Sequence, residues 1–220
     1  MKDYRKIVHV LIAVAAVNLI ITLCMIPGLP ELVPVHFNHK MEVDQMGSPW
    51  ILALFPAIPL VFSIAMATEQ RFRGKEYANN KVLSFFAVGF VVFFIALGWV
   101  FYAVGSSAKQ MGEGTDVPLM LILGLGLSAL FILIGNYTPT LQPNRTIGIR
   151  MRATLSDPEV WRRAHRFAGK YFVFGGVFSA AMTLIGYFTG LEWLAAVGLL
   201  CAVIGTMVIV LIHLRKITKR

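Results

Sequence analysis

Apolar runs of about twenty residues, separated by polar segments, recur six times along this chain, at residues 7–26, 50–68, 82–104, 118–135, 171–189 and 193–214. A hydrocarbon core about 30 Å thick is crossed by roughly 20 apolar residues in a helix that rises 1.5 Å per residue. None of the six runs contains Asp, Glu, Lys or Arg. The pattern therefore predicts six transmembrane helices. His9 and His213 fall near span ends, where a polar ring reaches the interface at little cost. Pro56 and Pro59 each remove a backbone donor and predict a kink or an unwound stretch in the second span.

A different period precedes the fifth run. Val160, Trp161, Ala164, Phe167, Ala168 and Tyr171 recur every three or four residues, so at 100° per residue they fill one arc of a helix. Arg162, Arg163, Arg166 and Lys170 take the opposite side, with His165 at the edge beside Trp161. This predicts an amphipathic interfacial helix that runs into the fifth span, its apolar face on lipid or on the bundle, its basic face toward anionic headgroups. Ser156 and Glu159 have capping-box spacing, and Asp157 and Pro158 suit a first turn. Small residues punctuate the spans (Gly124 and Gly126, Gly175 and Gly176, Gly198 and Gly205, Gly186 and Gly190), which predicts close helix packing within the chain. No internal repeat is evident.

Composition agrees with lipid as solvent. Of 220 residues, 57% are hydrophobic and 14% charged, against roughly 25% charged in an ordinary soluble domain. Twenty Lys and Arg against eleven Asp and Glu leave a net charge of +9. Eighteen of those cations fall in the N-terminus, the second and fourth connecting segments and the tail, leaving only Lys40 and Lys109 elsewhere. Such asymmetry predicts both termini in the cytoplasm and calls for no nucleic acid. Cys24 and Cys201 both lie in spans and behave as small hydrophobes rather than as a disulfide framework.

Two polar segments exceed what connection requires. The outer loop 27–49 begins with stiffening Pro30 and Pro34, ends in a Gly47-Ser48-Pro49 turn, and holds His36, Phe37, Asn38, His39, Glu42 and Asp44 between them. One reading is a packed cap, with Asn38 and Asp44 bonding local backbone and Phe37 plugging the bundle. A second is a contact surface for a peptide or ligand. A third is a zinc site from His36, His39 and a carboxylate, although no spacing fixes another ligand. The cytoplasmic elbow contains Asn136, Tyr137, Pro139, Asn144, Gly148 and Arg150. It reads either as a lock between spans four and five or as a docking site for a cytosolic partner or small anion, with Arg150 and Arg152 reaching phosphates or helix carbonyls. No nucleophile–base set or phosphate-cradling loop is present, and no carboxylate lies inside a span, where such groups mark ion relays.

These two segments resemble a known pairing. Leu-Pro-Glu-Leu-Val-Pro-Val-His-Phe-Asn at residues 29–38, followed by Asp44 and Gly47-Ser48, resembles a domain of unknown function with a P-x-H-F-N motif, here over residues 1–68. Gly135-Asn136-Tyr137-Thr138-Pro139, then Asn144, Gly148-Ile149-Arg150, Thr154-Leu155, Trp161 and His165-Arg166 are similar to the SdpI immunity-protein family, over about residues 118–214. The resemblance covers most of the chain, which is expected to form a single membrane domain, residues 1–220.

It implies a non-enzymatic bacterial inner-membrane protein giving immunity to a secreted antimicrobial peptide toxin and using no cofactor. It also implies signalling, through sequestration of a cytosolic transcriptional repressor. The outer motif carries toxin binding onto Pro34, His36, Phe37, Asn38, Asp44 and Gly47. The inner motif carries partner binding onto Asn136, Tyr137, Pro139, Asn144, Gly148, Arg150, Trp161, His165 and Arg166. There are departures. Met41 stands near where the family often has glycine, Met151-Arg152-Ala153 replaces a Thr-Pro-Trp, and Ala164 replaces a Thr. The rival is a transporter or enzyme for a lipid or small envelope metabolite, metal-dependent at the outer histidines.

Overall fold

The computed structural model describes residues 2–38, 40–73, 80–107, 112–114, 118–143 and 147–218. Six helices in it are long and apolar enough to cross a membrane. The protein is an all-α multi-pass membrane protein. Its contacts divide it into two units, residues 1–119 and 120–220.

The first unit is built from α1 (Lys2–Met25), a hairpin of β1 (Val33–Phe37) and β2 (Val43–Gly47), α2 (Leu54–Arg73) and α3 (Asn80–Ser106). Leu11 of α1 and Ala87 and Val91 of α3 form its core, with Phe62 and Met66 of α2 packed against them. A Cβ on Gly98 would lie 3.1 Å from that of Phe55, so glycine brings α2 and α3 together while Phe55 stacks on Phe101 at 4.6 Å. Pro49–Ala53 forms a 3-10 turn entering α2. Pro56 then sits in the first helical turn, where no intrahelical partner for an N–H exists, and Pro59 lies inside the helix.

One buried polar contact in this unit escaped the sequence pattern. The Trp99 indole N–H donates to Oδ1 of Asn18 at 3.0 Å, joining α3 to α1. Asn18 is buried. In a bilayer no water replaces such a bond, so it acts as glue between spans.

The second unit contains α4 (Leu119–Tyr137), a 3-10 turn at Thr138–Thr140, the short α5 (Arg152–Ser156), α6 (Pro158–Thr189) and α7 (Trp193–Thr218). At 32 residues, α6 is about 48 Å long, well beyond a hydrocarbon core. The expected amphipathic helix and the fifth span are one continuous rod. Its apolar side, Trp161, Ala164, His165 and Ala168, is buried, packed against the elbow and α7.

The helix start differs from the capping box expected at Ser156. Asp157 is the cap, its Oδ1 accepting from the N–H groups of Glu159 at 2.7 Å and Val160 at 3.3 Å. The reason is Pro158. A residue before proline is driven to extended geometry, and Asp157 adopts φ −134°, ψ 112°, leaving Ser156 to end α5.

Glycines and small polar groups hold α6 against its neighbours. A Cβ on Gly176 would fall 2.8 Å from the Ser128 carbonyl, and one on Gly198 would fall 2.6 Å from that of Met182. Ser128 donates to Ser179 at 2.9 Å, and Thr206 donates to the Tyr171 carbonyl at 3.1 Å. Large apolar side chains such as Val61, Val92, Phe174, Phe188, Leu200 and Met207 face outward, as lipid solvation requires. Cys24 and Cys201 are free and exposed on these helices.

Trp99→Phe keeps the ring and deletes the donor. It is expected to lower unfolding stability by about 0.6–1.7 kcal/mol, with Asn18→Leu adding less in the double variant than alone. A double-mutant cycle of thermal or denaturant unfolding in detergent checks this.

Candidate functional sites at the hairpin and the elbow

Each motif builds its own site, one per unit. The hairpin pairs Val33 with Gly47, Pro34 with Met46, His36 with Gln45 and Phe37 with Val43, antiparallel, with irregular register on both sides of His36. Valine and proline favour extended backbone, and buried Val33 packs beside Gly105 of α3, which sets that side against the helices. The outer edge of β2 is covered. Val43 donates to the Glu113 carbonyl at 2.9 Å and accepts from Gly112 at 2.8 Å, so that edge offers no free ladder at Val43.

Asn38 organises the turn. Its side-chain oxygen accepts from Lys40 N–H at 2.8 Å and Glu42 N–H at 3.1 Å, and its amide donates to the Glu42 carboxylate at 2.8 Å. Its backbone N–H donates to the Glu42 carbonyl at 2.9 Å, and its carbonyl accepts from Met41 at 2.9 Å. The chain closes through Met41 at φ +60°, a left-handed conformation that suits glycine and strains a side chain. Met41 is the position noted above as standing near a family glycine. Its side chain is only 5% exposed, and that burial offsets the strain.

His36 and Asp44 take a different part. Nδ1 of His36 lies 2.6 Å from Oδ1 of Asp44 across the two strands, and both side chains are exposed. Asp44 thus bonds a side chain, where local backbone was one expectation, while Asn38 does bond local backbone. Phe37 is half-buried. A Cβ on Gly47 would fall 2.9 Å from a Val35 methyl, so glycine suits the close strand approach. His39 lies outside the described residues. Among the described residues, no group of three or more His, Cys, Asp or Glu gathers to hold a metal ion.

The elbow is a set of bonds onto the first turns of α6. The Trp161 indole N–H donates to the Leu141 carbonyl at 2.8 Å. Nε2 of His165 lies 3.0 Å from Ile149 N, and Nδ1 lies 2.9 Å from the Trp161 carbonyl. An acceptor role at Nε2 leaves the proton on Nδ1, so both ring nitrogens are committed in the neutral tautomer. The Thr154 hydroxyl donates to the Ile149 carbonyl at 2.7 Å and accepts from Met151 at 2.9 Å. Trp161 and His165 stack at 4.0 Å and are shut from solvent.

Glycines make room for these contacts. Gly148 has φ +109°, and its missing Cβ would collide with Nε2 of His165 and press on the Trp161 ring. Gly135 and Gly169 meet where α4 leaves α6, each with a virtual Cβ 2.7 Å from the other's carbonyl oxygen, and a Cβ on Gly169 would also fall 2.7 Å from the Pro139 ring. The structure therefore gathers Gly135, Pro139, Gly148, Trp161 and His165 into one locked corner. Tyr137 is half-buried beside it, while Asn136, Arg150 and Arg166 are exposed. Asn144 lies outside the described residues. Thr154 was noted only as part of a motif, and its role in joining Ile149 to Met151 has no signature in spacing.

The two matched regions overlap these two sites. The SdpI/YfhL protein family matches residues 140–212, from the elbow through α6 into α7. A domain of unknown function, DUF1648, matches residues 13–60, which contain the hairpin. The immunity protein SdpI of Bacillus subtilis is 26% identical over 179 residues, covering 81% of each chain. The chain is thus similar to SdpI-type immunity proteins across both motif segments. No solved structure matches it.

His165→Ala leaves the Ile149 N–H without its partner, which costs about 1–3 kcal/mol when buried. Gly148→Ala adds strain of about the same size. Both variants are expected to raise protease cleavage within residues 140–157 and to lower the unfolding temperature, whereas Arg166→Gln leaves both unchanged. Limited proteolysis in detergent, read by mass spectrometry, checks the set.

Proposed function

We propose that the protein confers immunity on a bacterium against a secreted, membrane-active peptide, without catalysing a reaction. The observation that carries this reading is the similarity to an immunity protein over 81% of both chains, taken with matches at both motif segments. The proposed location is the cytoplasmic membrane, with both termini inside and the hairpin outside. The concentration of Lys and Arg in alternate segments supports that orientation.

The hairpin is the proposed point of contact with the peptide. Two classes of residue are present on it. Asn38, Glu42, Met41 and Gly47 shape the turn and the strand approach. His36 and Asp44 are exposed and pair with each other rather than with the core. With exposed Glu31 nearby in sequence, they present a polar, partly acidic rim that suits a cationic peptide approaching the bilayer. The elbow is the proposed holding point for a cytosolic regulator. Asn136, Arg150 and Arg166 are motif residues exposed there.

Expression in a peptide-sensitive bacterium tests the reading. Wild type is expected to raise survival under a panel of secreted membrane-active peptides, and His36→Ala with Asp44→Ala to lose that protection at unchanged membrane abundance. Asn38→Ala is expected to lower abundance as well, because it dismantles the turn. Protection by the His36/Asp44 variant equal to wild type would refute the contact at the hairpin, and failure of wild type against every peptide would refute immunity. Labelling of single cysteines placed at Lys40 and Arg166 from outside the cell checks the orientation, with reaction expected at residue 40 only.

A further inference from the structure

The basic face of α6 does not end in water. Counting at 100° per residue, Arg163, Arg166 and Lys170 share one side of the helix, and the same side continues through Phe174 and Val177. Phe174 and Val177 are 67% and 54% exposed. One helix face therefore passes, within about two turns, from exposed cations to exposed apolar side chains. A charged head followed by hydrocarbon has that order of chemistry.

α7 repeats the order and comes alongside. Lys216 lies four residues after Ile212 and seven after Ile209, both of which are exposed. The two helices are pinned by Ala164, Ala168, Val210 and Leu214 in a shared core. At the edge of that core the rings of Phe167 and His213 stack with centroids 3.6 Å apart and planes 4° from parallel. Arg163 lies one turn before Phe167 and Lys216 one turn after His213.

Acidic groups offset only part of the charge of this corner, at Arg163. Glu159 bonds Arg162 at 2.5 Å and reaches Arg163 at 3.4 Å, and Asp157 is committed to the helix cap. Arg166, Lys170, Arg215 and Lys216 are exposed and belong to no ion pair between described residues.

We propose that the corner formed by Arg163, Arg166 and Lys170 of α6 and Lys216 of α7, around the Phe167–His213 stack, binds the phosphate head of an anionic phospholipid, whose chains run along Phe174, Val177, Ile209 and Ile212. The observation behind it is the matched passage from cation to apolar surface on two helices packed together. A free anion uses the cations alone and has no need of the apolar continuation. The site depends neither on the immunity reading nor on the hairpin.

Native mass spectrometry of the full chain, with phosphatidylglycerol, phosphatidylcholine and inorganic phosphate as separate probes, tests the proposal. Wild type is expected to retain phosphatidylglycerol in preference to phosphatidylcholine. Arg163→Gln with Lys216→Gln is expected to reduce that preference about thirtyfold, from roughly 1 kcal/mol per basic residue near an anionic surface. Arg166→Gln with Lys170→Gln is expected to act similarly, and Lys6→Gln, an exposed cation of α1, to leave it unchanged. Unfolding temperatures in phosphatidylcholine are expected to match wild type for all three, which separates lost binding from lost fold. Undiminished preference in both double variants, or inorganic phosphate displacing the lipid at millimolar concentration, would overturn the site.

Discussion

Lipid around the helices removes the force that usually assembles a protein core. Hydrocarbon chains are as apolar as leucine, so burying one helix against another gains little from water release, and association rests on close packing and hydrogen bonds. The observed contacts follow from that constraint. Backbone meets backbone at Gly135 and Gly169, and Gly176 brings α6 within contact of the Ser128 carbonyl. Three polar side chains inside the units reach neighbouring helices, Trp99 to Asn18, Ser128 to Ser179 and Thr206 to the Tyr171 carbonyl, while Thr22, Ser63 and Thr183 bond carbonyls of their own helices.

The same constraint explains why the connecting segments carry so much structure. An irregular chain at the end of a span must satisfy its own backbone groups or leave them to water. The hairpin does so through a single asparagine, whose side chain serves two backbone donors and one carboxylate. The elbow uses three side chains of the α5–α6 region, Thr154, Trp161 and His165, to take up backbone groups of Leu141, Ile149 and Met151. In both places a motif divides into residues that hold the backbone and residues left exposed. Asn38 and His165 belong to the first kind, His36 and Arg166 to the second. A shared motif is therefore weak evidence that all of its members touch a ligand.

Several features of these sites were visible in the amino-acid pattern and several were not. The amphipathic stretch before the fifth span was, because a period of 3.6 is a local property of the chain. Its run into the fifth span was legible too, whereas the choice of Asp157 over Ser156 as cap was not read from the spacing, although Pro158 contains the reason. Met41 looked like a departure from a glycine pattern. The structure finds φ +60° there together with burial of the side chain, so the departure is compensated by packing.

The six spans, the lipid environment and the chemistry of the two motif segments were decided by the sequence alone, since uninterrupted apolar runs and the placement of charge act residue by residue. Only tertiary structure decided which polar groups meet. Asn18 and Trp99 are 81 positions apart, Leu141 and Trp161 are 20 apart, and no local rule pairs them. It also decided that α6 and α7 set their basic ends side by side at the Phe167–His213 stack. Each of these depends on the separation and register of two elements, which packing determines and periodicity within one element cannot.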